Sequence, residues 1–342
     1  MTGKDTGGGA GSASPSSPSG TGAGTGGGAG QGRAAPAAPA AVPPPPCAPS
    51  LRGLLLSRLL LPVAMRRRRA TPISERISAD RAAGPARPPA ALAPRVREED
   101  GPGGRRFVLS PPTGAAPAPW RILYFHGGGY LFDLIDPHWT LLAGLSAASG
   151  AEIAIPLYPL APEAEVEQGL EAAEAAWHAL AGAQGASRVV LCGDSAGGGL
   201  ALSLACRLRD RGLPLPAALA LIAPWLDVAA AGPDQRRLAR RDAILTPGFL
   251  REAGTLWAGG RAVEAPSVSP LHAAPEGLPP TMIAVGDRDM LLSDARRWAA
   301  KSPATQLRVY SQMFHVFPAA DIPEGRHALA ALAGFCAAHA GG

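Results

Sequence analysis

The pattern Gly193-Asp194-Ser195-Ala196-Gly197 lies between a short apolar stretch and a longer helical pattern. Residues 188–192 have the composition of a buried strand and residues 196–209 that of a helix, which predicts a tight strand-to-helix turn between them. Flanking glycines let neighbouring backbone approach where any Cβ would clash, so the turn should expose the Ser195 hydroxyl. In a chain this rich in glycine and serine the pattern alone would occur by chance about 0.3 times, so its context carries the prediction.

A second glycine motif, His126-Gly127-Gly128-Gly129, directly follows a strand pattern at 121–125. Its backbone N–H groups can face a developing oxyanion, and a serine exposed by the downstream turn can act as a nucleophile. The two motifs in this order predict acyl transfer. We expect His126 to pin the glycine loop through a hydrogen bond rather than act as a base, and Asp194 to stabilise the turn.

Strand and helix patterns alternate along the rest of the chain, and one helix is well marked by apolar residues at helical spacing over 166–180. Candidate strands are 121–125, 152–156, 188–192, 218–223, 281–285 and 306–310. Alternation of this kind predicts an α/β fold with a mostly parallel sheet covered by helices on both faces. Sites on such sheets gather at the carboxyl ends of strands, where both glycine motifs fall.

A serine nucleophile needs a base, and in this chain order the acid comes after the serine and the histidine comes last. His315 follows the final strand directly and is the predicted general base. The other histidines belong to the glycine motif, precede the expected acid or lie in a C-terminal helix pattern; they are His126, His138, His178, His272, His327 and His339.

The acid is less sharply defined, because two aspartates follow the strand at 281–285. Spacing after Gly286 favours Asp289, and Asp287 is expected to hold the loop through backbone N–H groups. Asp287 stays open as the alternative acid, and Asp294 is a more distant third.

Composition divides the 342 residues into a leader, residues 1–50, and a domain over 51–342. The leader is rich in Gly, Ser, Ala and Pro and is predicted to be disordered, because it cannot bury enough apolar surface. Residues 51–64 are too short to span a bilayer and carry their arginine cluster, 66–69, on the wrong side for a signal peptide. We expect an amphipathic helix that packs on the domain, with a membrane surface as the alternative and no stable membrane insertion.

Four cysteines lack the spacing of a metal site or a disulfide framework; they are Cys47, Cys192, Cys206 and Cys336. A reducing, cytoplasmic setting is the simplest fit. The net charge of +5 comes largely from the arginine cluster at 66–69, which lacks the interleaved aromatics of a nucleic-acid site. No nucleic-acid partner is therefore expected.

The chain resembles the hormone-sensitive lipase family of α/β-hydrolases, the bacterial family IV carboxylesterases, over about 107–336. The resemblance rests on both glycine motifs and on three further segments: Tyr158-Pro159-Leu160-Ala161-Pro162-Glu163, Pro224-Trp225-Leu226-Asp227, and Pro279-Pro280 before the acid strand. Among members it is most similar to short-chain ester, lactone and acetyl hydrolases of high-GC bacteria.

The resemblance implies an α/β-hydrolase fold with a small helical cap made from about 51–96 and 228–265. It implies that Asp289 fills the acid position in Asp289-Met290-Leu291, and that backbone N–H groups of Gly128, Gly129 and Ala196 form the oxyanion hole. Four aromatic residues either line an acyl pocket or pack in the core, and the sequence leaves both open; they are Tyr130, Phe132, Trp225 and Trp257.

These expectations converge on a serine hydrolase that cleaves short-chain acyl esters, or lactones, through Ser195, His315 and Asp289. Its partner would be a small-molecule ester, with no metal or organic cofactor required. The alternatives are an N-deacetylase or amidase with the same triad, and a non-catalytic small-molecule receptor, against which the presence of His315 argues. The natural substrate, the acyl chain length and any homo-oligomer are left open by the sequence.

Overall fold

A mostly parallel sheet of eight strands forms the centre of the described chain, which comprises residues 43–46 and 48–341 of the computed structural model. The strands are β1 (Val96–Gly101), β2 (Gly104–Leu109), β3 (Arg121–Phe125), β4 (Glu152–Pro156), β5 (Val189–Asp194), β6 (Ala218–Ile222), β7 (Thr281–Gly286) and β8 (Thr305–Tyr310). They lie in the order β1-β2-β4-β3-β5-β6-β7-β8. The pairs β1–β2 and β2–β4 are antiparallel, and the remaining neighbours are parallel.

All six strands expected from the sequence are present, and β3 and β4 have the predicted bounds. Residues of β5 and β6 are buried throughout, as near-continuous apolar runs of a parallel sheet covered by helices should be. The β1–β2 hairpin was not predicted. The fold predicted from the alternating patterns is confirmed.

Ten α-helices flank the described sheet or precede it. They are α1 (Leu51–Leu55), α2 (Leu61–Ala70), α3 (Ile73–Ala83), α4 (Asp136–Ser149), α5 (Val166–Gln184), α6 (Ser195–Asp210), α7 (Gln235–Ala239), α8 (Pro247–Ala258), α9 (Leu292–Lys301) and α10 (Pro323–Ala340). Helix α4 packs against α10, whereas α5 packs against α6. The well-marked helix of the sequence is α5, whose apolar stripe carries the buried Val166, Leu170 and Trp177.

Helices α1 and α2 are joined by a π-helical turn, Leu56–Leu60, and the Ser50 hydroxyl caps the start of α1. The buried Gly53 faces Met313 and Glu324, so this helical stretch packs on the domain. Its outer face exposes five large apolar side chains: Leu51, Leu55, Leu59, Leu60 and Val63. Over the residues described, no helix is both long and apolar enough to cross a membrane.

The described residues cover the predictions for the leader and the cysteines only in part. Most of the predicted leader, residues 1–42 and 47, lies outside the described residues, as does Cys47. The other three cysteines, Cys192, Cys206 and Cys336, are buried and unbridged, and burial raises the pKa of each thiol. All three are small residues of the core.

Candidate active site

Ser195 lies on the turn between β5 and α6, in a backbone conformation that residues other than glycine rarely adopt. Its φ is 51°. The turn closes because its two glycines lack a Cβ: one on Gly197 would lie 2.0 Å from the Phe125 carbonyl oxygen, and one on Gly193 would lie 2.5 Å from that of Gly197. The positive φ of Ser195 costs on the order of 1–3 kcal/mol and persists only where surrounding packing imposes it.

His315 connects the serine to a carboxylate. Its Nε2 lies 2.9 Å from Ser195 Oγ, and its Nδ1 lies 2.9 Å from Asp289 Oδ2. Asp289 follows β7 and His315 follows β8, so two adjacent parallel strands deliver the acid and the imidazole to the same edge of the sheet. Because Asp289 accepts a hydrogen bond from Nδ1–H, Nε2 is free to accept one from the serine hydroxyl.

The two alternative acids are engaged elsewhere. Asp287 accepts a hydrogen bond from the Gln312 N–H at 2.7 Å, which ties the acid loop to the loop after β8. Asp294 accepts from the N–H groups of Leu226 and Asp227, and burial raises its pKa well above the usual range. Of the three aspartates, the structure places only Asp289 against His315.

The charge state of His315 is set by opposing effects. Burial lowers the pKa of the imidazole, but the carboxylates of Asp289 and Asp242 raise it by more, so the pKa lies above its ordinary value. The same carboxylates stabilise the imidazolium that forms when the serine proton is transferred.

Gly128 and Gly129 of the glycine motif line the cavity that opens onto Ser195. Gly128 and Gly129 have φ values of 125° and 67°, and a Cβ on Gly128 would lie 2.2 Å from the Phe132 carbonyl oxygen. In the described part of the chain, neither N–H donates a backbone hydrogen bond. Ala196 is the second residue of α6, where helical N–H groups have no intrahelical acceptor and the dipole favours negative charge.

His126 and Asp194 hold the glycine loop against the turn. Asp194 Oδ1 accepts from the Gly127 N–H at 2.9 Å and from the Tyr124 hydroxyl at 2.6 Å. His126 is fully buried, its Nδ1 lies 2.7 Å from the Gly127 carbonyl oxygen, and burial lowers its pKa. A neutral His126 that donates to this carbonyl fixes the loop, which agrees with the structural role expected for it.

Asp242, which sequence reasoning missed, lies beside the acid. Its Oδ1 accepts from the N–H groups of Ile244 and Leu245, and its Oδ2 accepts from the Met290 N–H, each at 2.8 Å. Burial raises the pKa of Asp242 to about 6, and the nearby Asp289 adds to the increase. An aspartate that bonds N–H groups two and three residues ahead is a local turn signal, but its bond to Met290 has no counterpart in the sequence pattern.

A cavity of about 660 Å³ opens onto Ser195 and His315. Its walls come from the N-terminal helices, including Met65 and Ile73, and from the segment after β6, including Leu245 and Phe249. These are the two segments expected to form a cap. Of the four aromatic residues left open by the sequence, Phe132 lines the cavity. Tyr130 instead stacks between Trp225 and Trp257, at centroid distances of 5.6 and 4.1 Å.

A sequence model of the family described as alpha/beta hydrolase fold matches residues 122–319. A crystal structure of an esterase from the bacterial hormone-sensitive lipase family superposes with a TM-score of 0.71 at 30% identity, covering 82% of this chain and 97% of that one. The chain belongs to the hormone-sensitive lipase-like α/β-hydrolases. The family inferred from the sequence motifs is thereby confirmed.

Relatives of this hydrolase carry related activities in their names. An acetyl-hydrolase of Streptomyces hygroscopicus is 37% identical over 219 residues, which are 61% of this chain and 72% of that protein. An esterase of Acinetobacter venetianus is 31% identical over 230 residues, which are 64% of this chain and 75% of that protein. The protein is accordingly a carboxylic-ester hydrolase, as the sequence predicted.

Proposed function

We propose that this hydrolase cleaves short-chain acyl esters in two steps, with Ser195 as nucleophile, His315 as general base and Asp289 as the orienting acid. The observation that carries the proposal is the unbroken relay from Asp289 Oδ2 through His315 to Ser195 Oγ, with both links at 2.9 Å. The relay ends in a cavity that can admit a small ester.

In the first step, Ser195 Oγ bonds to the ester carbonyl carbon while its proton passes to His315 Nε2. The carbonyl π electrons move onto oxygen, and the N–H groups of Gly128, Gly129 and Ala196 stabilise the oxyanion. Asp289 stabilises the imidazolium through the Nδ1 hydrogen bond.

The tetrahedral intermediate then collapses and the bond to the alcohol oxygen breaks. His315 donates its proton to that oxygen, so a neutral alcohol leaves and an acyl-enzyme remains. In the second step His315 takes a proton from water, the hydroxide oxygen bonds to the acyl carbon, and Ser195 departs with the proton returned. Every step uses groups of this chain, the ester and water.

The relationship to an acetyl-hydrolase favours a small acyl group. Residues of the N-terminal helices and of α8 wall the cavity, so differences in these helices would set acyl and alcohol preference. The partner is thus a small-molecule ester.

The first prediction is that Ser195→Ala removes hydrolysis of p-nitrophenyl acetate and butyrate, with kcat lowered by a factor on the order of 10⁴ to 10⁶. The nucleophile is lost while the fold is retained, because alanine fits the site. Ser203→Ala is a matched control on the same helix, α6, and should keep wild-type kcat. Unchanged hydrolysis by the Ser195→Ala variant would remove the serine from the mechanism.

A further inference from the structure

Three arginines line the cavity, and two of them, Arg68 and Arg76, lie over its aromatic rings. The guanidinium of Arg76 lies 4.6 Å from the Phe132 ring centroid and 5.2 Å from that of Phe249. The guanidinium of Arg68 lies 5.2 Å from the Phe132 centroid. The rings stack on each other at 6.2 Å, and all four side chains belong to residues that line the cavity.

Neither guanidinium is bound by a carboxylate within the described chain, although the charge of Asp80 raises the pKa of Arg68 by less than burial lowers it. Among the described residues, no hydrogen bond or ion pair uses the side chain of Arg68 or Arg76, and Arg76 Nε is buried without an acceptor. Burial and the charge of Arg68 together lower the pKa of Arg76 to about 10. Arg76 is half-buried and Arg68 is exposed, and the two like charges lie close together in the cavity wall, where an anion would be stabilised.

The neighbouring Arg69 and Arg81 differ from this pair, because their N–H donors already form hydrogen bonds within the protein. Arg69 donates to the carbonyl oxygens of Asp242 and Leu245. Arg81 pairs with Asp80 and Glu163, each at 2.9 Å. These two side chains fasten helices to the domain, whereas the guanidinium groups of Arg68 and Arg76 lie over aromatic rings.

Acidic side chains in the cavity wall do not neutralise the pair. Asp133 accepts from the Leu134 N–H, and Asp194 is committed to the glycine loop. Glu252 is exposed and raises the pKa of Arg76 by less than burial and Arg68 lower it.

The aromatic pair also packs against the predicted oxyanion loop. A Cβ on Gly129 would lie 2.8 Å from Phe249 Cζ, and one on Gly128 would lie 3.3 Å from Phe132 Cβ. The aromatic rings therefore lie between the two guanidinium groups and the glycines that face the reacting carbonyl. A substrate held at Ser195 can extend to them within the same cavity.

We propose that the preferred esters carry a carboxylate or another anionic group, which binds to the guanidinium groups of Arg68 and Arg76 while the ester carbonyl lies at Ser195. This inference rests on the proposed function and names the substrate class of the same site. Planar guanidinium groups bind carboxylates and phosphates with two parallel hydrogen bonds, and stacking on rings presets their orientation.

The test compares charged esters with their neutral methyl esters. One pair, mono-p-nitrophenyl glutarate and methyl p-nitrophenyl glutarate, places the charge on the acyl part. The other, 4-acetoxybenzoate and its methyl ester, places the charge on the alcohol part. The readout is the charged-to-neutral ratio of kcat/KM after subtraction of spontaneous hydrolysis, which is independent of the amount of folded enzyme.

The wild-type protein should prefer the charged ester in at least one pair, and that pair identifies the side on which the anion binds. Arg76→Gln should lower the ratio about tenfold, since a charge-assisted hydrogen bond is lost, and the Arg68→Gln/Arg76→Gln double variant should lower it further. Arg76→Lys should restore part of the ratio. Arg66→Gln removes the same charge from an exposed residue of α2 outside the cavity and should keep the wild-type ratio.

A second measurement does not depend on turnover. Calorimetry with the Ser195→Ala variant should show that the charged ester of at least one pair binds more tightly than its neutral methyl ester, and that adding Arg76→Gln removes the difference. If neutral esters are hydrolysed and the charged-to-neutral ratio of kcat/KM is the same in the wild type and the arginine variants, this inference alone is overturned. Absence of any ester hydrolysis would overturn the proposed function, and the binding difference would still decide whether the arginines select anions.

Discussion

Single residues of the site differ in how strongly the local sequence specifies them. Ser195 and Gly128 are predictable because a turn with positive φ and a close backbone approach need particular residue types at fixed spacing. Asp289 and Asp287 are two residues apart in one loop, and only the path of that loop brings Asp289 to His315. Asp242 contacts Met290, 48 residues away, and such a contact leaves no local pattern.

The second prediction separates the two aspartates of the acid loop. Asp289→Asn should lower kcat by a factor on the order of 10⁴, because the amide cannot stabilise the imidazolium and favours the wrong tautomer. Asp287→Asn, which weakens the hydrogen bond to Gln312 and removes the ion pair with Arg241, should lower kcat less than about tenfold. Steady-state kinetics with p-nitrophenyl acetate measure both. The opposite ranking would make Asp287 the acid.

At the scale of elements, parallel strands were predictable from their apolar runs, but the β1–β2 hairpin was not. Strand β1 carries a charged run and has no buried residue, so it lacks the alternation that marks a half-buried strand. Cross-strand pairs support it instead: Glu99 is opposite Arg106 and bonds to it at 2.9 Å, and Glu98 lies 3.3 Å from Arg105. Pairing with β2, rather than periodicity, defines this edge.

The third prediction concerns the contact between the segment after β6 and the acid loop. In the wild type, kcat/KM should rise with pH as His315 loses its proton, around a pKa above the usual value of about 6.5. Asp242→Asn removes a negative charge that raises the His315 pKa, so the rising limb should shift to lower pH. A pH profile of kcat/KM for a short-chain ester measures the shift.

Asp234→Asn is the control for this profile, since Asp234 precedes α7 and pairs with Arg237 and Arg296. Its rising limb should coincide with that of the wild type. A profile of Asp242→Asn that also coincides would show that Asp242 has no electrostatic effect on the imidazole.

At the scale of the whole molecule, the segment after β6 is joined to the sheet domain by stacked aromatic rings. Trp257 of α8 stacks on Tyr130 at 4.1 Å with planes 2° apart. It also fills a notch on α5, since a Cβ on Gly169 would lie 2.2 Å from Trp257 Cη2. The sequence supplied both aromatic residues but not their pairing, because contacts between separate segments depend on the final packing.

The fourth prediction tests this joint. Trp257→Ala should lower the free energy of unfolding by about 3–5 kcal/mol, because it leaves a cavity beside Tyr130. Trp257→Phe keeps a ring against Tyr130 and should lose less. Urea unfolding followed by circular dichroism measures both, and a loss below about 1 kcal/mol for Trp257→Ala would show that the stack contributes little.

The fifth prediction addresses the central claim, that Ser195 forms a covalent intermediate activated by His315. Incubation with diethyl p-nitrophenyl phosphate, followed by mass spectrometry of the intact chain and its peptides, should show one diethylphosphoryl group on Ser195. The adduct should be absent from Ser195→Ala and should form orders of magnitude more slowly in His315→Ala. An adduct on another residue, or loss of ester hydrolysis with Ser195 unmodified, would contradict the mechanism.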